Sequence, residues 1–233
     1  MEFGYHDIAK MIDHSLLKPT LTTAELEAGC QLALTYDVAS VCIMPFYLKR
    51  CSEILKGSSV KASTTIGFPH GGHTRYVKQI EAELAIAEGC EELDMVVNIS
   101  RVLSGEWQYV ADEIEAITKI AHQAGQKIKV IFENCYLEAA HKIELCRICG
   151  GLGVDWVKTS TGYGTGGATL CDLKLMRAQS PENVQVKAAG GVRTLDQLLE
   201  VRAIGVSRVG ASATREILDT CRERLKLPPL NSR

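Results

Sequence analysis

From Val38 onward the chain alternates between two hydrophobic periods. A short β-branched run is followed by a loop, then by a longer stretch with helical spacing, then by a glycine that precedes the next run. The glycines of Ala-Glu-Gly89, Gln-Ala-Gly125, Gly-Leu-Gly153 and Ala-Ile-Gly205 sit where a helix ends and the backbone turns left-handed, and Asp37 takes the same place less cheaply. The runs so delimited are Val38–Met44, Lys61–Ile66, Glu92–Asn98, Ile128–Glu133, Val154–Thr159, Val184–Ala188 and Val206–Val209. An eighth, Ile12–Leu16, precedes a Thr22-x-x-Glu25 capping box that opens a helix.

Eight strands in strict alternation with helices, at roughly 30 residues per unit, imply a closed (β/α)8 barrel, an α/β fold of the TIM type with a short N-terminal helix. No linker or low-complexity tract divides the sequence, so a single domain over 1–233 is expected. An open doubly wound sheet is the other architecture with this alternation. Its first βα turn normally carries Gly-x-Gly-x-x-Gly, whereas the turn after Val38–Met44 reads Pro-Phe-Tyr.

Strand parity divides each run into a helix-facing and a barrel-facing set. Ile128, Val130 and Phe132 oppose Lys129, Ile131 and Glu133; Val184, Val186 and Ala188 oppose Gln185 and Lys187; Leu93, Met95 and Val97 oppose Glu92, Asp94, Val96 and Asn98. The barrel interior is therefore expected to hold Asp94, Lys129, Glu133, Lys158 and Lys187. Unpaired charge costs several kcal/mol to bury, so these groups either pair into a polar network or serve chemistry.

Composition narrows the partners. Lys plus Arg number 26 against 28 Asp plus Glu, a net charge of −2, and no basic block occurs, which argues against nucleic acid or a membrane surface. No apolar run approaches the roughly 18 residues of a membrane span and MEFGYHDIAK does not read as a secretory leader, so a cytoplasmic protein is expected. Nine cysteines, an odd count lying mostly in periodic segments, read as reduced thiols. The Cys146-x-x-Cys149 pair lacks a second pair at metal-site spacing, so no metal is expected.

The candidate chemistry centres on Asp155-Trp156-Val157-Lys158-Thr159-Ser160-Thr161-Gly162, which ends an apolar run on an amine, three hydroxyls and a flexible loop. With Lys187 in the same barrel mouth, like charge and partial burial both disfavour the ammonium form of Lys158. A second cation roughly 5 Å away in an effective dielectric of about 20 costs near 3 kcal/mol, on the order of a hundredfold more free amine at neutral pH. Lys187 is thus expected to be the main cause of the lowered Lys158 pKa. A free amine attacks an aldehyde, and Asp94, with water or Lys187, has the chemistry to move the protons of carbinolamine, imine and enamine. The turns Ala189-Gly190-Gly191-Val192-Arg193 and Val209-Gly210-Ala211-Ser212-Ala213, after the seventh and eighth strands, have the small residues and free amides of a phosphate site.

Seven blocks, from Asp13-His14-Ser15-Leu16-Leu17-Lys18-Pro19 and Val41-Cys42-Ile43-Met44-Pro45 through Ile66-Gly67-Phe68-Pro69-His70-Gly71, Glu92-Leu93-Asp94-Met95-Val96-Val97-Asn98, Lys129-Val130-Ile131-Phe132-Glu133 and Val157-Lys158-Thr159-Ser160-Thr161-Gly162 to Val186-Lys187-Ala188-Ala189-Gly190-Gly191-Val192-Arg193, resemble the class I 2-deoxyribose-5-phosphate aldolases over nearly the whole chain. The resemblance implies a Schiff base of Lys158 with acetaldehyde and proton-transfer roles for Asp94 and Lys187. It also implies reversible cleavage of 2-deoxy-D-ribose 5-phosphate to acetaldehyde and D-glyceraldehyde 3-phosphate in deoxyribonucleoside catabolism, without metal or organic cofactor, in a homodimer. By the same likeness the phosphate sits on Gly162, Gly190, Gly191, Gly210 and Ser212, and Cys42 lies near the mouth, as a small buried side chain or an aldehyde-reactive thiol. Met44, Asn134 and Ala213 depart from the family pattern, and the tail Leu-Pro-Pro-Leu-Asn-Ser-Arg lacks the tyrosine that ends some members. Two other functions fit a phosphosugar barrel: an isomerase using Asp94 and Glu133 as its acid-base pair, and a phosphosugar-binding sensor without turnover.

Overall fold

The computed structural model describes residues 3–230. Its eight strands, β1 (Ile12–Leu16), β2 (Ser40–Ile43), β3 (Lys61–Ile66), β4 (Glu92–Val96), β5 (Lys127–Ile131), β6 (Trp156–Lys158), β7 (Gln185–Ala189) and β8 (Arg208–Ala211), pair in parallel in sequence order, and β8 closes on β1. Helices α1 (Tyr5–Ala9), α2 (Thr23–Tyr36), α3 (Leu48–Leu55), α4 (Arg75–Ala87), α5 (Ile99–Leu103), α6 (Trp107–Gln123), α7 (Ala139–Leu152), α8 (Leu170–Gln179), α9 (Leu195–Ala203) and α10 (Thr214–Arg224) form the outer layer. The fold is the expected (β/α)8 barrel, with α1 ahead of the first strand. The C-terminal tail 227–233 runs past the described residues after residue 230.

The punctuation works as its chemistry requires. Gly89, Gly125, Gly153 and Gly205 all take positive φ, as does Asp37 at φ 50°, the capping residue of α2. At the other end of α2, Thr22 accepts from the Glu25 N–H while the Glu25 carboxylate bonds back to Thr22. Thr169 and Thr194 accept the N–H three residues on and cap α8 and α9, Thr194 with a reciprocal bond to Gln197.

Helix-facing strand residues are sealed. Leu93, Met95, Ile128, Val130, Val186 and Ala188 are fully buried between barrel and helices, and each large side chain among them contributes roughly 1.5–3 kcal/mol of burial. Cys146 and Cys149 are buried in α7 as small apolar side chains.

Most strand limits lie one or two residues from expectation: β2 and β6 are shorter at both ends, and β7 begins and ends one residue later. β4 stops at Val96 because the Asn98 side chain turns back to accept the Arg101 N–H and starts α5. β5 stops at Ile131 because Glu133 adopts a left-handed backbone, φ 57°. β8 lies two residues later than the run Val206–Val209, a shift that keeps its parity.

Candidate active site

Parity sends the charged faces of six strands into the barrel, where they form one network. Lys158, the last residue of β6 and 3% exposed, donates from Nζ to Asp94 Oδ2 at 2.7 Å. The same oxygen accepts Lys187 Nζ, also at 2.7 Å, and Lys187 reaches Asp13 Oδ2 at 2.5 Å. Lys129 holds Asp94 Oδ1 at 2.8 Å and Glu92 Oε2 at 2.6 Å from below, and Arg208 spans Asp13 and Glu92 at 2.6 and 2.9 Å. Trp156 lies beside this base, its ring 4.9 Å from the Arg208 guanidinium.

The interior therefore sets four cations, Lys129, Lys158, Lys187 and Arg208, against three carboxylates, Asp13, Glu92 and Asp94. Such an excess is costly out of water and is relieved when one cation gives up its proton. The groups divide accordingly. Burial pushes the Asp94 carboxyl up, but Lys129, Lys158 and Lys187 together override it and hold it well below the usual range. Burial lowers Lys187 while Asp13 and Asp94 pull it up, for a net rise, and Lys129 is raised by its carboxylates in the same way. Lys158 alone of the four is lowered, first by burial, which with the push of Lys187 outweighs the pull of Asp94. This corrects the expectation that Lys187 is the main cause: desolvation leads, because Lys158 is almost wholly buried and has only one carboxylate in contact. The arrangement thus places a depressed amine and a persistent ammonium on one oxygen of an ionised carboxylate, the elements of nucleophilic and proton-transfer chemistry.

Above Lys158 opens a cavity of about 470 Å³ that contains, besides this amine, Gly162, Gly190, Gly191, Gly210 and Ser212 in its wall. Gly162, Gly190 and Gly191 have positive φ, and the loops after β6 and β7 are packed backbone on backbone. Ala168 N–H donates to Ala189 O and Gly190 O at 3.1 and 2.9 Å, and a Cβ on Gly167 would stand 2.5 Å from Gly190 O. Cys42 lies inside β2, 1% exposed, in the field of the interior lysines, and burial pushes its thiol up. Met44 lines a neighbouring apolar hollow, Asn134 is buried against Met176, and Ala213 leaves α10 without a side-chain cap.

Two expectations about membership change. Glu133 does not join the interior cluster, because the strand has ended before it. Its carboxylate accepts the Thr161 N–H at 3.2 Å and the Thr161 hydroxyl, and it borders a different hollow, so the acid-base pair Asp94–Glu133 that an isomerase would need is not assembled. Conversely, Asp13, Glu92 and Arg208 belong to the network. Glu92 shares the Asp94 face, and Asp13 stands in the Asp13–Pro19 block, but Arg208 opens a strand too short for alternation to reveal. Among the described residues no group of three or more His, Cys, Asp or Glu side chains has the arrangement of a metal site.

Comparison with known proteins follows the same lines. The family model described as DeoC/LacD family aldolase matches residues 8–219. A deoxyribose-phosphate aldolase of Rhodopirellula baltica is 67% identical over 229 residues, covering 98% of this chain and 95% of that protein. A deoxyribose-phosphate aldolase of a Thermoanaerobacter species is 46% identical over 214 residues, 91% of this chain and 96% of that one. Among solved structures, the tetrameric deoxyribose phosphate aldolase of Aeropyrum pernix superposes with a TM-score of 0.87 at 28% identity, covering 95% of this chain and 93% of the other.

Proposed function

The chain belongs to the DeoC/LacD family of aldolases, and on that premise we propose that it cleaves 2-deoxy-D-ribose 5-phosphate reversibly to D-glyceraldehyde 3-phosphate and acetaldehyde through a Schiff base on Lys158. The observation that carries the mechanism is the depressed amine of Lys158 on the carboxylate of Asp94, 2.7 Å away, in an interior with one cation too many.

The free amine of Lys158 adds to the C1 aldehyde of the open-chain sugar. Proton transfer to the carbinolamine hydroxyl expels water and leaves an iminium ion, whose positive charge occupies the place of the former ammonium beside Asp94. Withdrawal of the C3 hydroxyl proton then breaks the C2–C3 bond, releasing glyceraldehyde 3-phosphate and an enamine on Lys158. Protonation at C2 and hydrolysis return acetaldehyde and the amine. Asp94 and Lys187 share one oxygen contact, so they form a short proton relay next to the reacting nitrogen. Lys129, Glu92, Asp13 and Arg208 keep that relay in register from below.

The phosphate is assigned to Gly162, Gly190, Gly191, Gly210 and Ser212, whose amides and hydroxyl surround the cavity over Lys158. The chemistry uses no metal or organic cofactor. The unit is the whole chain, 1–233, working in the cytoplasm; its nine unpaired cysteines fit a reducing compartment, and no described helix is long and apolar enough to cross a membrane. A homodimer is assigned on the exposed apolar residues Phe46, Tyr76, Ile80 and Leu84. The function is tested by incubating the purified protein with 2-deoxyribose 5-phosphate and measuring acetaldehyde release. Turnover in the native chain and its loss in Lys158→Arg support the assignment, and full activity of Lys158→Arg overturns it.

A further inference from the structure

Glycine amides and one serine hydroxyl supply dipoles to a phosphate, but a dianion is held far better where a full positive charge also reaches it. Two cations stand on the rim of the cavity over Lys158, Lys18 and Arg193, both exposed. Arg193 follows the Gly190-Gly191 turn on the same loop. Lys18 comes from the loop just past β1, two strands round the barrel from β7, and takes no part in the interior network.

The segment carrying Lys18 is anchored on both sides. The hydroxyl of Tyr163 donates to Leu17 O at 2.6 Å, and the Tyr163 ring stands edge-on to Phe68 with centroids 5.5 Å apart. Tyr163 N–H in turn donates to Thr161 Oγ1 at 3.0 Å, and Thr161 is tied to the buried, left-handed Glu133. A continuous line of hydrogen bonds therefore runs from the end of β5, across the loop after β6, to the carbonyl immediately before Lys18. Pro19 follows, fixing its own φ and biasing Lys18 toward an extended backbone. The carboxylate that senses Lys18, that of Glu25, is already occupied by the N–H and hydroxyl of Thr22, both at 2.7 Å. Lys18 is thus a cation without a tight protein counterion among the described residues, on a braced loop over a cavity lined by the glycine-rich turns after β6, β7 and β8.

We propose that Lys18 is the specificity-determining cation that selects phosphorylated over unphosphorylated deoxy sugars, and that Tyr163 is a positioning residue acting through it. This rests on reading the cavity as the phosphate end of an aldolase site. It gives Glu133, which carries no chemistry in that site, the task of bracing the strap, and it gives the Tyr163 hydroxyl a function separate from the reacting carbons.

The test compares kcat/KM on 2-deoxyribose 5-phosphate with kcat/KM on 2-deoxyribose for the native chain, Lys18→Gln, Lys18→Arg and Tyr163→Phe. A lost charge-assisted hydrogen bond to phosphate lowers the preference of Lys18→Gln for the phosphorylated sugar roughly tenfold, with the loss in KM rather than kcat. Lys18→Arg regains most of that preference, and Tyr163→Phe shows a smaller drop in the same ratio. Inorganic phosphate, used as an inhibitor of 2-deoxyribose cleavage, binds Lys18→Gln more weakly by the same factor. A preference within twofold of the native value in Lys18→Gln, or an equal loss on both sugars, overturns the proposal. Trapping of acetaldehyde on Lys158, which involves no phosphate, separates the two levels of the argument. Trapping in the native chain together with an unaltered Lys18→Gln preference refutes the role of Lys18 alone, whereas no trapping in the native chain refutes the aldolase reading and this inference with it.

Discussion

Substituting Lys187 by methionine tests the electrostatic argument while leaving Lys158, the proposed nucleophile, in place. The nitrogens of Lys158 and Lys187 each lie 2.7 Å from Asp94 Oδ2, so they are at most twice that distance, 5.4 Å, apart. Two like charges at about 5.4 Å in an effective dielectric of about 20 repel by about 3 kcal/mol, somewhat over a hundredfold in an equilibrium constant. Removing the Lys187 ammonium also frees Asp94 to act on Lys158, a change of the same sign. Lys158 gains its free-amine form as pH rises, so stabilising its ammonium moves that gain to higher pH. The assay is the rate at which acetaldehyde is fixed to the protein by borohydride, read by intact mass as a function of pH. Lys187→Met reacts on the order of a hundredfold more slowly near neutral pH and recovers toward alkaline pH. The interior then carries three cations against three carboxylates, so no excess charge works against folding, and a thermal melt checks that the barrel is intact. A neutral-pH rate within threefold of native, or a uniform loss with no displacement along the pH axis, refutes the electrostatic coupling between the two lysines.

Other parts of the network give separate expectations. Asp94→Asn keeps the shape of the relay but not its basicity, so kcat for cleavage falls roughly 10²–10⁴-fold while prolonged borohydride treatment still labels Lys158, as paired steady-state and trapping measurements will show. Away from the site, Lys78 and Glu113 form a fully buried pair at 2.8 Å that also holds Val96 O and Asn98 N–H at the end of β4. Lys78→Met leaves Glu113 buried without its cation and lowers the unfolding free energy in urea by about 3–5 kcal/mol, and adding Glu113→Leu recovers much of it. Burial of His14, bonded to Thr214 Oγ1 at 2.8 Å, depresses its pKa to about 4. As pH falls below the unfolded-state value near 6.5, the unfolded chain binds a proton that the native ring refuses until about pH 4, so the stability this group contributes is complete above pH 6.5 and lost on the way down. Between pH 6.5 and 5 the loss is about 1.5 kcal/mol, and chemical denaturation of His14→Asn over that range shows a correspondingly flatter slope.

The barrel was legible because its signals repeat. Each unit carries a β-branched run and a left-handed stop, and a misplaced boundary at β2 or β8 alters neither the order of the strands nor their pairing. Parity was equally informative within a strand: Asp94, Lys129 and Lys187 alternate with Leu93, Val130 and Val186, and the structure puts the two sets on opposite sides of the wall. It failed where the strand ended. Glu133 has the parity of Lys129, but a left-handed residue redirects the chain, and no local pattern in Phe-Glu-Asn-Cys marks that turn. Arg208 and Asp13 were missed for a different reason. The run holding Arg208 is only four residues long, and the pairing of β8 with β1 that brings it to Asp13 spans almost the entire sequence. Lys78 and Glu113 lie on helices in ordinary polar surroundings, and only packing against the end of β4 reveals that they are buried.

The central claim is that Lys158 is the nucleophile. Acetaldehyde followed by borohydride, with peptide mass spectrometry of the product, examines it directly. The account predicts a single ethyl group, on Lys158 and on neither Lys129 nor Lys187, whose pKa values are raised by their carboxylates. An ethyl group on another lysine, or none on Lys158, would contradict it.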